Sequence, residues 1–210
     1  MPKGDIGFRL YLITDRKLFP DEEGLFRTVE QALAAGVRAV QLREKDLGVR
    51  DQLRMAYRMR GLTRRFSARL FINERADVAL AVGAEGVHLG FSGMPAHAAK
   101  KASDGRLMVG VSAHSRAEAE AAQRDGADFI TFGPVYETPS KLRYGRPVGT
   151  DALTEVTRAV ALPVFAIGGI RKDNVTEVVK AGADGIAVIS AVLASRTIHQ
   201  DIGEFMRKMT

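Results

Sequence analysis

The 210-residue chain has no cysteine, which removes disulfides and thiolate metal centres, structural zinc among them, and gives no sign of an oxidising compartment. Its formal charge of +6, with 46% apolar and 27% charged residues, is the balance of a soluble globular protein, and the length suits one domain over 1–210 with a full core. The opening Met1-Pro2-Lys3-Gly4-Asp5 leads into only about seven apolar-rich residues, too few for a signal peptide or membrane span, so a cytoplasmic protein with no membrane partner is expected.

In chain order, the first expected strand is residues 8–14, a short apolar run before Asp15-Arg16. Leu25, Val29, Ala32 and Leu33 then recur at helical spacing, and Gly36 ends that helix before the second strand, residues 37–42. In the next helix Met55, Met59, Leu62 and Phe66 form an apolar stripe, which leaves most of Arg50, Arg54, Arg58, Arg60, Arg64 and Arg65 on the other face. That pattern reads as a solvated helix face rather than a polyanion site, so no nucleic-acid partner is expected.

Residues 69–73 form the third strand, and Gly83 precedes the fourth, which carries His88. The fifth spans residues 107–111, after which Ser115 and Glu118 make a capping box. Gly126 precedes the sixth strand; residues 134–150 follow as the longest irregular stretch, a candidate lid. The seventh strand is residues 163–167, and Gly182 precedes the eighth.

A phrase repeats through this order: Ala35-Gly36-Val37, Val82-Gly83-Ala84, Asp125-Gly126-Ala127 and Ala181-Gly182-Ala183, each ending a helix and opening an apolar run. The glycines lie 43 to 56 residues apart, about two βα units each, so the count reaches eight strands. An open doubly wound sheet has the same alternation. However, eight units in so short a chain favour closure, and the first strand lacks the glycine-rich turn of a dinucleotide site. The expected fold is therefore α/β, a single (β/α)₈ barrel of eight parallel strands.

In such a barrel the carboxyl ends of the strands build the site. Gln41, Arg43 and Lys45 share parity at the end of the second strand and bring an amide and two cations to the mouth. A bound anion explains them better than internal pairing with Glu44 or Glu74. Asn73 and Ser112 are small neutral groups suited to a heterocycle or alcohol, whereas His88 and His114 are not assigned to catalysis. Gly168 and Gly169 let backbone N–H groups approach an anion, the recurrent phosphate grip after strands seven and eight. Thr138, Ser140 and Lys141 can fold over the ligand from the irregular loop.

The ordered set Leu12-Ile13-Thr14-Asp15, Gln41-Leu42-Arg43-Glu44-Lys45, Ile72-Asn73, Gly86-Val87-His88-Leu89-Gly90, Gly110-Val111-Ser112, Gly133-Pro134-Val135-Tyr136 with Thr138 and Lys141, and Gly168-Gly169-Ile170 resembles the thiamin phosphate synthase family. The match spans about residues 11–194. The resemblance implies transfer of a hydroxymethylpyrimidine from its diphosphate to the nitrogen of a thiazole phosphate, through a shielded pyrimidine cation. Arg43, Lys45 and Lys141 would then hold pyrophosphate, and Gln41, Asn73 and Ser112 the pyrimidine. Thr138 and Ser140 would meet the thiazole phosphate side, with Gly168, Gly169, Ile189 and Ser190 around its phosphate. Mg²⁺ is the implied cofactor and Glu74 its ligand; the implied partners are small phosphorylated molecules.

Two positions depart from the family pattern. Glu74 replaces an aspartate, and Gly90-Phe91-Ser92-Gly93 holds no carboxylate where the family has a second metal ligand. The related TenI-like branch keeps the barrel and phosphate site, but its tautomerases carry a histidine after Phe-Gly of strand six, where Pro134 stands here. A synthase is the leading expectation. A thiazole tautomerase and a non-catalytic, regulatory binder of thiazole phosphate are the alternatives.

Overall fold

Each apolar run that follows a helix-ending glycine forms one stave of a closed barrel. The computed structural model describes residue 4 and residues 6–138 and 147–209. Strands and α-helices alternate from β1 to α8: β1 (Leu10–Ile13), α1 (Glu22–Ala34), β2 (Ala39–Leu42), α2 (Val49–Arg65), β3 (Arg69–Asn73), α3 (Ala76–Val82), β4 (Gly86–Leu89) and α4 (Ala96–Ala102). Then come β5 (Met108–Ala113), α5 (Arg116–Arg124), β6 (Phe129–Phe132), α6 (Gly149–Ala159), β7 (Val164–Ile167), α7 (Val175–Lys180), β8 (Gly185–Val188), α8 (Ser190–Leu193) and α9 (Ile198–Met209). Neighbouring strands pair in parallel, and β8 closes on β1 with Ile186 opposite Leu10 and Val188 opposite Leu12.

The helix-to-strand junctions form as their sequence dictates. Gly36, Gly83, Gly126 and Gly182 all take positive φ, the conformation that ends a helix and frees the chain to re-enter the sheet. At α5 the Ser115 side chain accepts from the Glu118 N–H at 3.2 Å, but Glu118 reaches back to the His114 N–H at 2.7 Å, one residue before the expected partner. The first strand is shorter than its apolar run. Phe8 leaves the ladder to put its ring beneath the barrel, while Thr14 turns its hydroxyl to Glu44.

The basic face of α2 is largely neutralised by neighbours. Arg54 and Arg58 make two-pronged contacts with Glu22 and Glu23, Arg65 meets Glu30 at 2.8 Å, and Arg60 clasps Glu85. The exposed pairs among these stabilise by at most about 1 kcal/mol each. Their consequence is to leave little unpaired charge for a polyanion.

Two apolar cores result. One lies between the barrel and its helices; the other fills the lumen with Phe8, Tyr11, Phe71, Phe129 and Phe165. The lumen rings meet mostly edge to face, with centroids 5.3 Å apart for Tyr11 and Phe71 and 5.4 Å for Phe71 and Phe129. Their room comes from glycine: Gly86 lies directly across from Phe71, Gly110 from Phe129 and Gly185 from Phe165. A Cβ on Gly86 or Gly185 would come within 2.5 Å of the opposing ring.

This packing sets a stability prediction. A Cβ on Gly185 would also strike the Arg9 carbonyl oxygen, which is backbone and cannot swing aside. Gly185→Ala is expected to lower unfolding free energy by about 3 kcal/mol, read as an earlier urea midpoint. An unchanged midpoint would contradict the lumen packing.

Candidate active site

Above the aromatic plug, β2 to β6 carry polar residues at the next inward position. Gln41, Asn73, His88 and Thr131 are buried and Ser112 is half-buried, and they ring the carboxyl end of the lumen. Register places Asn73 beside His88 and Ser112 beside Thr131. The Gln41 amide donates to the Asn73 amide oxygen at 3.5 Å, and Thr131 donates to Ser112 Oγ at 3.4 Å. His88 Nε2 lies 3.1 Å from Ser112 Oγ and 3.4 Å from Thr131 Oγ1, while its Nδ1 is 3.5 Å from the Tyr11 hydroxyl. Burial, reinforced by Arg43 and Lys45, drives the His88 pKa down to about 3, so the ring is neutral near pH 7.

The cations at the end of β2 divide. Glu44 is fully engaged elsewhere: it accepts from the Thr14 hydroxyl at 2.7 Å and the Arg16 N–H at 3.1 Å, while Thr14 Oγ1 accepts the Arg43 N–H at 2.9 Å. Burial raises the Glu44 pKa, against the pull of those hydrogen bonds. Glu44 thus ties the turn after β1 to the end of β2 and does not neutralise Arg43. The half-buried Arg43 side chain has no hydrogen-bond or ion-pair partner among the described residues. Lys45 does have an internal partner, Glu74, at 3.2 Å.

Glu74 holds φ at 61°, an unusual left-handed pose for a non-glycine residue. A side chain at Gly90 would approach its Oε1 to 3.2 Å, so the β4 loop passes beside this carboxylate. Among the described residues no group of three or more His, Cys, Asp or Glu could hold a metal ion. The donor set suits Mg²⁺ only as an ion with one protein carboxylate and its remaining oxygens from a phosphorylated ligand and water, a usual arrangement for that metal.

Across the mouth, Gly168 and Gly169 have two tasks. The Val135 N–H donates to the Ile167 carbonyl at 2.9 Å and the Tyr136 N–H to the Gly168 carbonyl at 3.0 Å, which lays the β6 loop against this turn. A Cβ on Gly169 would come within 2.7 Å of both Tyr136 Cβ and the Glu137 carbonyl oxygen. The glycines are therefore required for packing as well as for any anion. Asn174 braces the turn by donating to the Gly169 carbonyl at 2.9 Å, and the Tyr136 hydroxyl donates to Glu177 at 2.7 Å. The N–H groups of Gly168, Gly169 and Ser190 take no acceptor in the loop hydrogen bonds of the described residues. Ile189 and Ser190 open α8 beside them. Thr138 is half-buried at the loop root; Ser140 and Lys141 lie outside the described residues.

His88 and Tyr11 are the groups that motif reading passed over. Strand parity was the available signal, because His88 alternates with Gly86 and Tyr11 with Ile13, all inward in a barrel. A cavity of about 330 Å³ at the other rim, lined by Ile6, Phe8, Arg9, Pro163 and Asp184 among others, includes Phe8 and Phe165 of the plug in its wall and is remote from this polar ring.

Comparison with known proteins agrees with the geometry. The profile of the family described as thiamine monophosphate synthase matches residues 10–192. A Geobacter sulfurreducens protein provisionally named a thiamine-phosphate synthase is 56% identical over 189 residues, covering 90% of this chain and 88% of its own. The thiamine-phosphate synthase of Chloroflexus aurantiacus is 43% identical over 190 residues, covering 90% and 87%. The solved thiamine phosphate pyrophosphorylase of Pyrococcus furiosus superposes with a TM-score of 0.86 at 40% identity, covering 96% and 95%.

The buried histidine sets an acid-stability prediction. Its folded pKa lies below the ordinary 6.5, so the unfolded chain binds the extra proton first as pH falls. The contribution is complete above about pH 6.5 and is lost toward pH 3, at up to about 1.4 kcal/mol per unit. Urea midpoints should fall between pH 7 and pH 5, and His88→Gln should flatten that fall; equal slopes in both proteins would contradict it.

Proposed function

Because the chain belongs to the thiamine monophosphate synthase family, we propose that its carboxyl rim joins hydroxymethylpyrimidine diphosphate to a thiazole phosphate, yielding thiamin phosphate and pyrophosphate. The protein is a transferase of thiamin biosynthesis. Its partners in this reading are two small phosphorylated molecules. No helix among the described residues is long and apolar enough to cross a membrane.

The observation that carries the reading is the half-buried Arg43, without a partner among the described residues, beside a ring of neutral amides and hydroxyls. A cation in that position is stabilised by an anion. The bond between the pyrimidine methylene carbon and the diphosphate oxygen breaks with both electrons leaving on oxygen. Arg43 and Lys45 meet that developing charge, with Lys141 contributing from the loop. The thiazole nitrogen lone pair then closes on the methylene carbon, forming the new C–N bond without a proton transfer.

Gln41, Asn73 and Ser112 hold the pyrimidine flat over the aromatic plug. The neutral His88 beneath adds no positive charge against the cation. Gly168, Gly169, Ile189 and Ser190 receive the thiazole phosphate through backbone N–H groups, and Thr138 and Ser140 are assigned to the thiazole phosphate. Positioning the nitrogen against the methylene is the main catalytic task left to the protein. Lys45 is free to turn from Glu74 to the diphosphate. Mg²⁺, with Glu74 as its one protein ligand, would supply further charge to the leaving group.

Purified protein given both substrates and Mg²⁺ should form thiamin phosphate, and no product at any Mg²⁺ concentration would overturn the reading. Arg43→Ala is expected to reduce kcat/KM about a hundredfold or more while sparing the thermal midpoint. Glu74→Ala should raise the Mg²⁺ concentration needed for half-maximal rate, and an unaltered Mg²⁺ curve would remove Glu74 as the ligand.

A further inference from the structure

Two buried groups, His88 in the polar ring and Tyr11 in the plug beneath it, bind neither substrate in this reaction. Tyr11 is fully buried, and its hydroxyl has His88 Nδ1 as its hydrogen-bonding partner at 3.5 Å. Burial raises the Tyr11 pKa well above its ordinary value, so the hydroxyl keeps its proton. A buried hydroxyl proton needs an acceptor, and Nδ1 can accept only if it carries no hydrogen. The neutral His88 must then hold its proton on Nε2.

That tautomer fixes the next link. Nε2–H faces Ser112 Oγ at 3.1 Å, and Thr131 donates to the same oxygen at 3.4 Å. A hydroxyl oxygen has two acceptor sites and one proton. With both acceptor sites engaged, Ser112 can only donate. The hydrogen-bonding partners of the His88 ring among the described residues are all hydroxyls, so no carboxylate there reverses the order. Gly110 makes room for this arrangement, because a Cβ there would come within 2.6 Å of His88 Nδ1.

We propose that Tyr11 and His88 are positioning residues whose one-way relay makes Ser112 an obligate hydrogen-bond donor, selecting a first substrate whose heterocycle presents an acceptor nitrogen there. The substrate half of this inference rests on the reaction proposed above; the tautomer half does not. A ring that offered N–H at that point would meet a donor facing a donor. Selectivity at such a site comes mainly from the mismatch.

The chain has four histidines, few enough for long-range proton–nitrogen spectra of ¹⁵N-histidine-labelled, ligand-free protein to resolve each ring, with His88→Gln assigning the signal. The expected state at neutral pH is the Nε2–H tautomer with a bare Nδ1. Tyr11→Phe removes one oxygen from a packed ring and should keep the fold, yet move His88 toward a mixture of tautomers. In steady-state assays it should raise KM for the pyrimidine diphosphate by about five- to tenfold and leave KM for the thiazole phosphate unchanged. In a Ser112→Ala background it should add nothing further. An Nδ1–H or charged His88, or equal effects of Tyr11→Phe on both KM values, overturns the relay. Absence of turnover with the expected tautomer overturns the proposed reaction and the substrate half, and leaves the tautomer established.

Discussion

Aromatic rings packed over glycines determine the height at which chemistry can begin. A parallel barrel must fill its lumen, and inward positions recur at every second residue of each strand. Phe71, Phe129 and Phe165 each take the space left by a glycine directly across the ladder. The lower lumen is thereby closed to water. Above this plug the inward polar groups Gln41, Asn73, His88, Ser112 and Thr131 appear together at the carboxyl rim. The floor of the site is thus a packing result before it is a catalytic one.

Charge is distributed over that floor with equal economy. The buried carboxylate of Glu44 serves Thr14 and Arg16 and shapes the mouth, while Arg43 has no partner among the described residues. Lys45 and Glu74 neutralise each other at 3.2 Å, and in the proposed reaction Lys45 turns from Glu74 to the diphosphate. Opposite them, the Gly168–Gly169 turn accepts the β6 loop and is braced by Asn174. Cationic and backbone-amide grips on opposite sides suit two phosphorylated molecules that meet over an apolar base.

Most of the fold was legible because glycine and strand patterning report backbone demands directly. Gly36, Gly83, Gly126 and Gly182 gave the helix-to-strand junctions, and Arg69–Asn73 gave a strand whose bounds the structure repeats. Strand ends were less legible: lumen packing draws Phe8 out of the ladder, while Thr14 ends the strand with its N–H still on the Gln41 carbonyl at 2.9 Å and its hydroxyl on Glu44. The site was read by residue type, which favoured the cations and small amides. Lys45 was expected to wait for an anion, yet its pairing with Glu74 depends on how β2 and β3 lie side by side, a contact that no local pattern carries. Tyr11 and His88 were passed over for the same reason, since their meaning lies in a hydrogen-bond order across four strands.

The most direct test of two opposed phosphate grips is a crystal structure of the protein with thiamin phosphate and pyrophosphate bound together. The geometry predicts pyrophosphate within hydrogen-bond reach of the Arg43 guanidinium, and the product phosphate against the N–H groups of Gly169 and Ser190. Pyrophosphate seated on the Gly168–Gly169 turn, with Arg43 free of both ligands, would contradict the account.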